Sequence, residues 1–418
     1  MKKKSSCRSI IKGLLSLSLF CHFGLCAQNN SEFLIQQKVE VLGNLAREPM
    51  FVEHPSGSLF VTGYNNGTKS PQLWRSDDKG SSWKKLDVGN QSEGADGNSD
   101  VDLAVDSDGT LYFVTMRYTK FPENIEDFDV SEAKGKHIAI GTSSDKGANW
   151  SWTYLSKSDY DDRPWVKIAS DNSVHVIWNN DKGVHHMVSD DKGKNWHERP
   201  LIYPKGGSSH FASGKDGLLA VRVSALSASG LIFDSQTDLI RISKDLGKSW
   251  KSIMLPGHRT WKSDISKGVD RWVDPIAWDA DNRLYHLWTE GNEMTIAVSD
   301  DYGEHWQMFT VGKGDQPLYF PFLYVANGNI VCSWLSGYGN DLRHVVASMT
   351  IKKEQLTIKK MNEFELSNIK GRFGTESELS NGGEYFPIGM LNDGTIGMVT
   401  TIQDYENNQL GFTWWRLR

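Results

Sequence analysis

The octet Ser76-Asp77-Asp78-Lys79-Gly80-Ser81-Ser82-Trp83 decides the architecture, because it recurs. It returns as Ser143-Ser144-Asp145-Lys146-Gly147-Ala148-Asn149-Trp150 and as Ser189-Asp190-Asp191-Lys192-Gly193-Lys194-Asn195-Trp196. Two further copies are Ser243-Lys244-Asp245-Leu246-Gly247-Lys248-Ser249-Trp250 and Ser299-Asp300-Asp301-Tyr302-Gly303-Glu304-His305-Trp306. The shared pattern is Ser-x-Asp-x-Gly-x-x-Trp. Its tryptophans recur at intervals of roughly 45–70 residues, the size of one supersecondary unit in a stacked or radial repeat. Each copy reads as a hairpin turn. The Asp carboxylate can accept from nearby backbone N–H groups, Gly permits positive φ, and Trp returns the chain to a packing face. These aspartates are therefore expected to hold turns, not to perform catalysis.

Upstream of each octet an apolar strand, a turn and a second apolar strand recur. Pro49–Val52 with Leu59–Tyr64, Leu103–Val105 with Leu111–Met116, and Trp165–Ala169 with Val174–Trp178 are examples. Phe211 with Leu218–Val223 and Val273–Trp278 with Leu284–Trp288 continue the series. Two units lack the octet: Tyr319–Val325 with Ile330–Leu335, and Tyr385–Leu391 with Ile396–Thr401. That makes seven units, each long enough for four antiparallel strands, except that the last shows three. Residues 33–42 read as the missing strand, and pairing both termini would close a ring and remove its exposed edges. The expected fold is all-β: a seven-bladed β-propeller in one domain over residues 28–418, with six blades as the alternative count.

Composition agrees. The chain has 418 residues, 39 Gly and 16 Trp, and a formal charge of −6, without long charged tracts. Disorder is excluded by the apolar content, and an acidic balance disfavours general nucleic-acid binding. Residues 1–27 pair Lys2, Lys3, Lys4, Arg8 and Lys12 with an apolar run and end at Leu25-Cys26-Ala27, the pattern of a secretory signal peptide. Its apolar core is short for a membrane span. The expected location is secreted or periplasmic, with a lipid anchor on Cys21 or Cys26 as the lesser alternative and no transmembrane segment after removal. Cys332 is then the one cysteine left, so the fold must rely on its packed core. Oligomeric state leaves no trace in the sequence.

The octet resembles the Asp box of the bacterial sialidase (BNR-repeat) superfamily, and the resemblance covers nearly the whole chain after residue 27. It implies a propeller, and its members include sialidases, other glycosidases and proteins without known catalysis. Ala46-Arg47-Glu48-Pro49 is similar to the Arg-Ile-Pro motif of sialidases, whose Arg is the first of three that clamp a substrate carboxylate. Tyr385, ahead of Leu391-Asn392-Asp393-Gly394-Thr395-Ile396-Gly397, is similar to the nucleophilic Tyr that opens their last blade. Three features depart from that family. The acid/base Asp would fall at Tyr64-Asn65-Asn66, which holds no carboxylate. Asp270 or Asp274 stands where a Glu would activate the Tyr. Seven units stand where sialidases have six.

Inner strands of a propeller start at one mouth of the central channel, and the residues there are ionic: Arg47-Glu48, Asp100 with Asp102, Asp162-Arg163, His210, Asp270-Arg271 with Asp274, and Glu384-Tyr385. Buried charges must find partners. One reading is a salt-bridged ring that plugs the channel. The other is a pocket for a sugar carboxylate, with Arg47, Arg163 and Arg271 as the clamp. In that pocket Tyr385 would be a nucleophile backed by Asp274 or Glu384, with Asp100 or Asp162 as proton donor. His210 with Tyr385 and Arg163, Arg222 or Arg271 would instead suit a lyase acting beside a uronate carboxylate. Asn65, Arg117, Tyr118 and Arg222, at the exits of second strands, would line an outer lip suited to sugar hydroxyls and faces. His185-His186 is expected to pack or face solvent, not to bind metal. The functional expectation is an exported hydrolase that releases a terminal acidic sugar, sialic or uronic. The alternatives are a lyase or another glycosidase on an anionic polysaccharide, and a noncatalytic glycan-binding propeller. No cofactor is expected; a structural Ca²⁺ would be compatible, but nothing in the sequence asks for one.

Overall fold

The computed structural model describes residues 31–45, 47–65, 67–68, 70–117, 137–158, 160–225, 237–256, 273–290, 292–326, 328–337, 342–366, 369–370, 384–404, 407 and 409–418. Seven sheets follow one another along the chain, antiparallel except where the short Ile369–Lys370 strand pairs parallel with Ile396–Asp404. Their innermost strands are Arg47–Glu53, Ser99–Val105, Asp162–Ile168, Gly207–Ser213, Ile276–Trp278, Leu318–Ala326 and Ile388–Met390. Each packs beside that of the next blade, and the seventh blade packs on the first, so the sheets form a seven-bladed ring. The one helical segment among the described residues is a single 3₁₀ turn, Gln91–Glu93.

Ring closure follows the sequence expectation. Ile35–Leu42 pairs antiparallel with the C-terminal strand Gln409–Leu417, which pairs in turn with Ile396–Asp404. One strand from the N-terminus thus completes a blade otherwise built from the C-terminus. Cys332 is buried and free.

The octets are turns, and the hydrogen bonds account for every residue of the pattern. In the first copy the Asp78 carboxylate accepts from the Ser82 N–H at 2.8 Å, and the Ser76 hydroxyl accepts from the Gly80 N–H at 2.8 Å. The Trp83 indole N–H donates to the Gly80 carbonyl at 3.0 Å. Asp145, Asp191, Asp245 and Asp301 accept from the backbone in the same way. The middle pair is left-handed throughout: Lys79 and Gly80 have φ of 62° and 92°, and Leu246 and Gly247 have 58° and 77°.

These glycines also abut the preceding blade. A Cβ on Gly80 would lie 2.1 Å from the Trp414 ring, one on Gly147 2.7 Å from Leu86, and one on Gly193 2.6 Å from Thr142. On Gly247 it would lie 2.2 Å from His186, and on Gly303 2.6 Å from Ile253. The octet is therefore both a turn and a flat contact between sheets. His186 packs there as anticipated: it is buried, stacked on His175, and bonded to it at 2.9 Å.

This double role sets a testable contrast. Gly247→Ala should destabilise by roughly 2 kcal/mol or more, combining a left-handed penalty with a clash. Gly57→Ala has a similar φ of 84° but nothing within 4 Å of the new methyl. It should lose only the backbone part, about 1 kcal/mol. Urea unfolding of the two variants checks the difference.

Candidate functional site

The first residues of the inner strands are set at the mouth by irregular backbone. The pairing register shifts between Arg47 and Met50, between Asp162 and Trp165, and between Tyr319 and Phe322. Inside these shifts Glu48, Arg163 and Phe320 have φ of 47°, 50° and 52°, and each precedes a proline. A left-handed residue before proline is disfavoured twice. Such bulges re-aim side chains, and the strain costs on the order of 1–3 kcal/mol per site.

The cluster they build unites Arg47, Glu48, Asp100, Asp162, Arg163, Glu384 and Tyr385. Arg47 lies 3.9 Å from Glu48, and Arg163 lies 3.9 Å from Glu384. The Glu384 N–H donates to Glu48 Oε1 at 3.3 Å. Ser99 donates to Asp100 at 3.1 Å. Glu48, Asp162 and Arg163 are buried, while Arg47 keeps 27% of its side chain exposed and Glu384 16%. Two guanidiniums thus face four carboxylates.

That imbalance shifts the acids. Burial pushes Glu384 up to about 7; Asp100 and Asp162 push the same way, against Arg163 and Arg47. Burial also holds Glu48 well above the usual carboxylate range, with Asp100 and Glu384 adding to it. Burial opposes the charge on Arg47, yet Tyr64, Glu48, Glu384 and Asp100 together raise its pKa. Burial likewise opposes Arg163, but Asp162, Glu384, Tyr385 and Asp100 outweigh it.

Tyr385 sits at the floor of this mouth and is 4% exposed. Its ring meets Trp165 edge-on at 5.0 Å and His210 at 5.7 Å. Its hydroxyl has no hydrogen-bond partner among the described residues. A buried, unsatisfied phenol costs about 1–3 kcal/mol. Burial raises its pKa well above the ordinary value, partly offset by Arg163. His210 stacks on Trp165 at 4.9 Å and meets Phe322 at 5.7 Å. Neither of its ring nitrogens has a partner among the described residues. Burial, then Lys167 and Arg222, hold it far below its usual pKa, so the imidazole is neutral.

The remaining expected residues lie elsewhere. Arg222 and Asp274 are fully buried together: Arg222 lies 2.5 Å from Asp238 and 3.8 Å from Asp274, and Asp274 lies 4.0 Å from His286. Arg222 therefore belongs to an internal ion-pair group and not to an outer lip. Asp102 binds Lys167 at 2.9 Å and the Val166 N–H at 3.0 Å, tying blade 2 to blade 3. Arg117 pairs with Asp96 at 2.8 Å. Asn65 accepts from the Gly67 N–H at 3.0 Å, a local turn bond. Arg271 and Tyr118 lie outside the described residues. Glu48 joins the cluster although it was not singled out as a site residue. The signal for it was its place beside Arg47 and before Pro49, where sialidases carry an apolar residue. Among the described residues no three His, Cys, Asp or Glu side chains group as metal ligands, and no helix is long and apolar enough to cross a membrane.

No family model and no curated protein sequence matches the chain. Solved structures do. A copper-containing fungal alcohol oxidase aligns with a TM-score of 0.54 at 11% identity, over 92% of this chain and 76% of that one. An ulvan lyase aligns at 0.50 and 10% identity, over 91% of this chain and 96% of that one. The Hadza microbial sialidase Hz136 aligns at 0.47 and 16% identity over 72% of this chain, which spans 66% of that enzyme's length. At such identities the likeness is one of fold. The chain is a seven-bladed β-propeller with five Ser-x-Asp-x-Gly-x-x-Trp turns, and its chemistry must be argued from its own side chains.

The raised carboxyls carry a stability signature. An acid whose folded pKa exceeds its unfolded value binds more protons when folded, so its contribution is greatest at low pH and is lost as pH rises. For Glu384 that window runs from its ordinary 4.5 to about 7, and for Glu48 it extends upward from 4.5. Glu48→Gln removes the buried charge. It should gain on the order of 1–3 kcal/mol over the wild type as pH rises through this window, and little below it. Thermal melts of both proteins across that range provide the measurement.

Proposed function

We propose that this protein is an exported glycoside hydrolase that releases a terminal acidic sugar at the Arg47–Glu384–Tyr385 mouth. The observation that carries the reading is the Tyr385 hydroxyl, which is buried without a partner among the described residues beneath a ring of carboxylates and guanidiniums. A group kept unsatisfied at such a cost suits a reaction partner from outside the protein. Arg47 and Arg163 would receive the sugar carboxylate, exchanging part of their interaction with Glu48 and Glu384 for it. Ionised Glu384 would take the phenol proton as Tyr385 Oη attacks the anomeric carbon. The glycosidic C–O bond breaks, and its oxygen takes a proton from Asp100 or Asp162. Water then cleaves the glycosyl–tyrosine bond, giving up a proton to the same Asp as it attacks, while Glu384 returns the phenol proton to the departing Oη. The reading uses no cofactor, and residues 1–27 would serve as the export signal.

One observation favours a second reaction at the same floor. Neutral His210 lies against Tyr385, with both ring nitrogens free of protein partners among the described residues. This pair suits β-elimination from a uronate: His210 takes the proton beside the carboxylate, and Tyr385 protonates the departing oxygen. The product would be an unsaturated uronate that absorbs ultraviolet light.

A panel of sialylated and uronate-bearing glycans, scored for both released sugar and new absorbance, tests the proposal. Sugar release without absorbance is the expected result. Tyr385→Phe should lower it by about a thousandfold or more, and Glu384→Gln by a hundredfold or more. In the wild type kcat/KM should rise with pH through about 7 as Glu384 ionises, and Glu384→Gln should flatten that limb. New absorbance would replace hydrolysis by elimination. Full turnover in Tyr385→Phe, or glycan binding with no product from the wild type, would overturn the enzymatic reading.

A further inference from the structure

Beyond the floor formed by Tyr385, Trp165 and His210, the channel opens again into a chamber of about 480 Å³. It runs along the far halves of the inner strands, and Tyr385 is not among its lining residues. Its volume lies within the range of about 300–1,000 Å³ typical of small-molecule sites.

Three features of its wall define the chemistry. Each innermost strand pairs on one side only, so its other edge turns backbone N–H and C=O groups toward the axis. Within the channel such groups are met by water or by a ligand that can donate and accept. Between them stand the rings of Trp165, Phe322 and Tyr324. The charges have partners: Lys167 is bound to Asp102 at 2.9 Å, and Glu53 at the rim accepts from the Asn392 N–H at 2.6 Å with Arg416 and Lys79 nearby to offset it. Among the described lining residues no spare cation awaits an anion. His210, 5% exposed and lining the same chamber, offers one donor and one acceptor nitrogen, neither with a protein partner among the described residues.

A ligand that fits must be uncharged, must donate and accept hydrogen bonds around its perimeter, and must present apolar faces to aromatic rings. A pyranose does all three, since its hydroxyls both donate and accept while its C–H faces stack. We propose that this chamber is a second binding site, for an uncharged sugar of monosaccharide size, distinct from the charged mouth. The proposal stands whether or not the mouth is catalytic.

The test uses the full chain with methyl glycosides of glucose, galactose and rhamnose as probes, followed by saturation-transfer NMR and calorimetry. At least one should bind saturably. Tyr324→Ala should weaken it about tenfold or more, while Tyr324→Phe and Tyr385→Phe retain it. A crystal soaked with a methyl selenoglycoside should show the selenium anomalous peak between Trp165 and Tyr324, a readout independent of whether Tyr324→Ala folds. No saturable binding of any probe, a selenium peak at the Tyr385 mouth, or binding lost in Tyr385→Phe but kept in Tyr324→Ala would overturn the proposal.

Discussion

Sheets can be arranged around one axis only if each lies flat against the next, and here five of the contacts between blades are made by a glycine with no side chain to hold them apart. The left-handed backbone that lets the octet reverse direction also puts Gly80, Gly147, Gly193, Gly247 and Gly303 against the blade before. Turn geometry and ring geometry are thus one constraint. With the sheets pressed together, the leading ends of the inner strands must meet, and charges carried there become neighbours although hundreds of residues separate them in sequence. Arg47 and Glu384 interact for this reason.

Proximity then shifts protonation, because acid is in excess. Four carboxylates around two guanidiniums cannot all ionise cheaply away from water, so protons stay on groups that would lose them in solution. The backbone strain at Glu48 and Arg163 and the unsatisfied phenol of Tyr385 add to the cost. Stability is being spent in one place, and the packed sheets around it supply the surplus. Beneath the ion pairs a phenol and an imidazole stand without protein partners among the described residues.

Much of the architecture was legible because its determinants are local. An octet whose Asp, Ser and Trp bond within four residues of themselves announces its turn in one dimension, and a unit short of one strand announces where the other terminus must go. Arg47, Arg163 and Tyr385 could be placed because they open inner strands. Arg222 could not: a residue at the exit of a second strand may point outward or inward, and sequence does not distinguish a lip from a buried pair with Asp238 and Asp274. Asp274 was read by its place before an inner strand, yet its Oδ2 faces Arg222 and His286. Glu48 was counted among the ionic residues of the mouth but given no role, because its importance lies in its non-local neighbours, Asp100 and Glu384.

The closing strand has a consequence for how the molecule is made. Ile35–Leu42 finds its partner in Gln409–Leu417, hundreds of residues further along the chain. Early blades can form as they emerge from the ribosome, but the toroid cannot be sealed before Gln409–Leu417 has been made. Until then one bare strand must wait with its hydrogen-bonding edge uncovered, an interval in which two nascent copies could exchange arms.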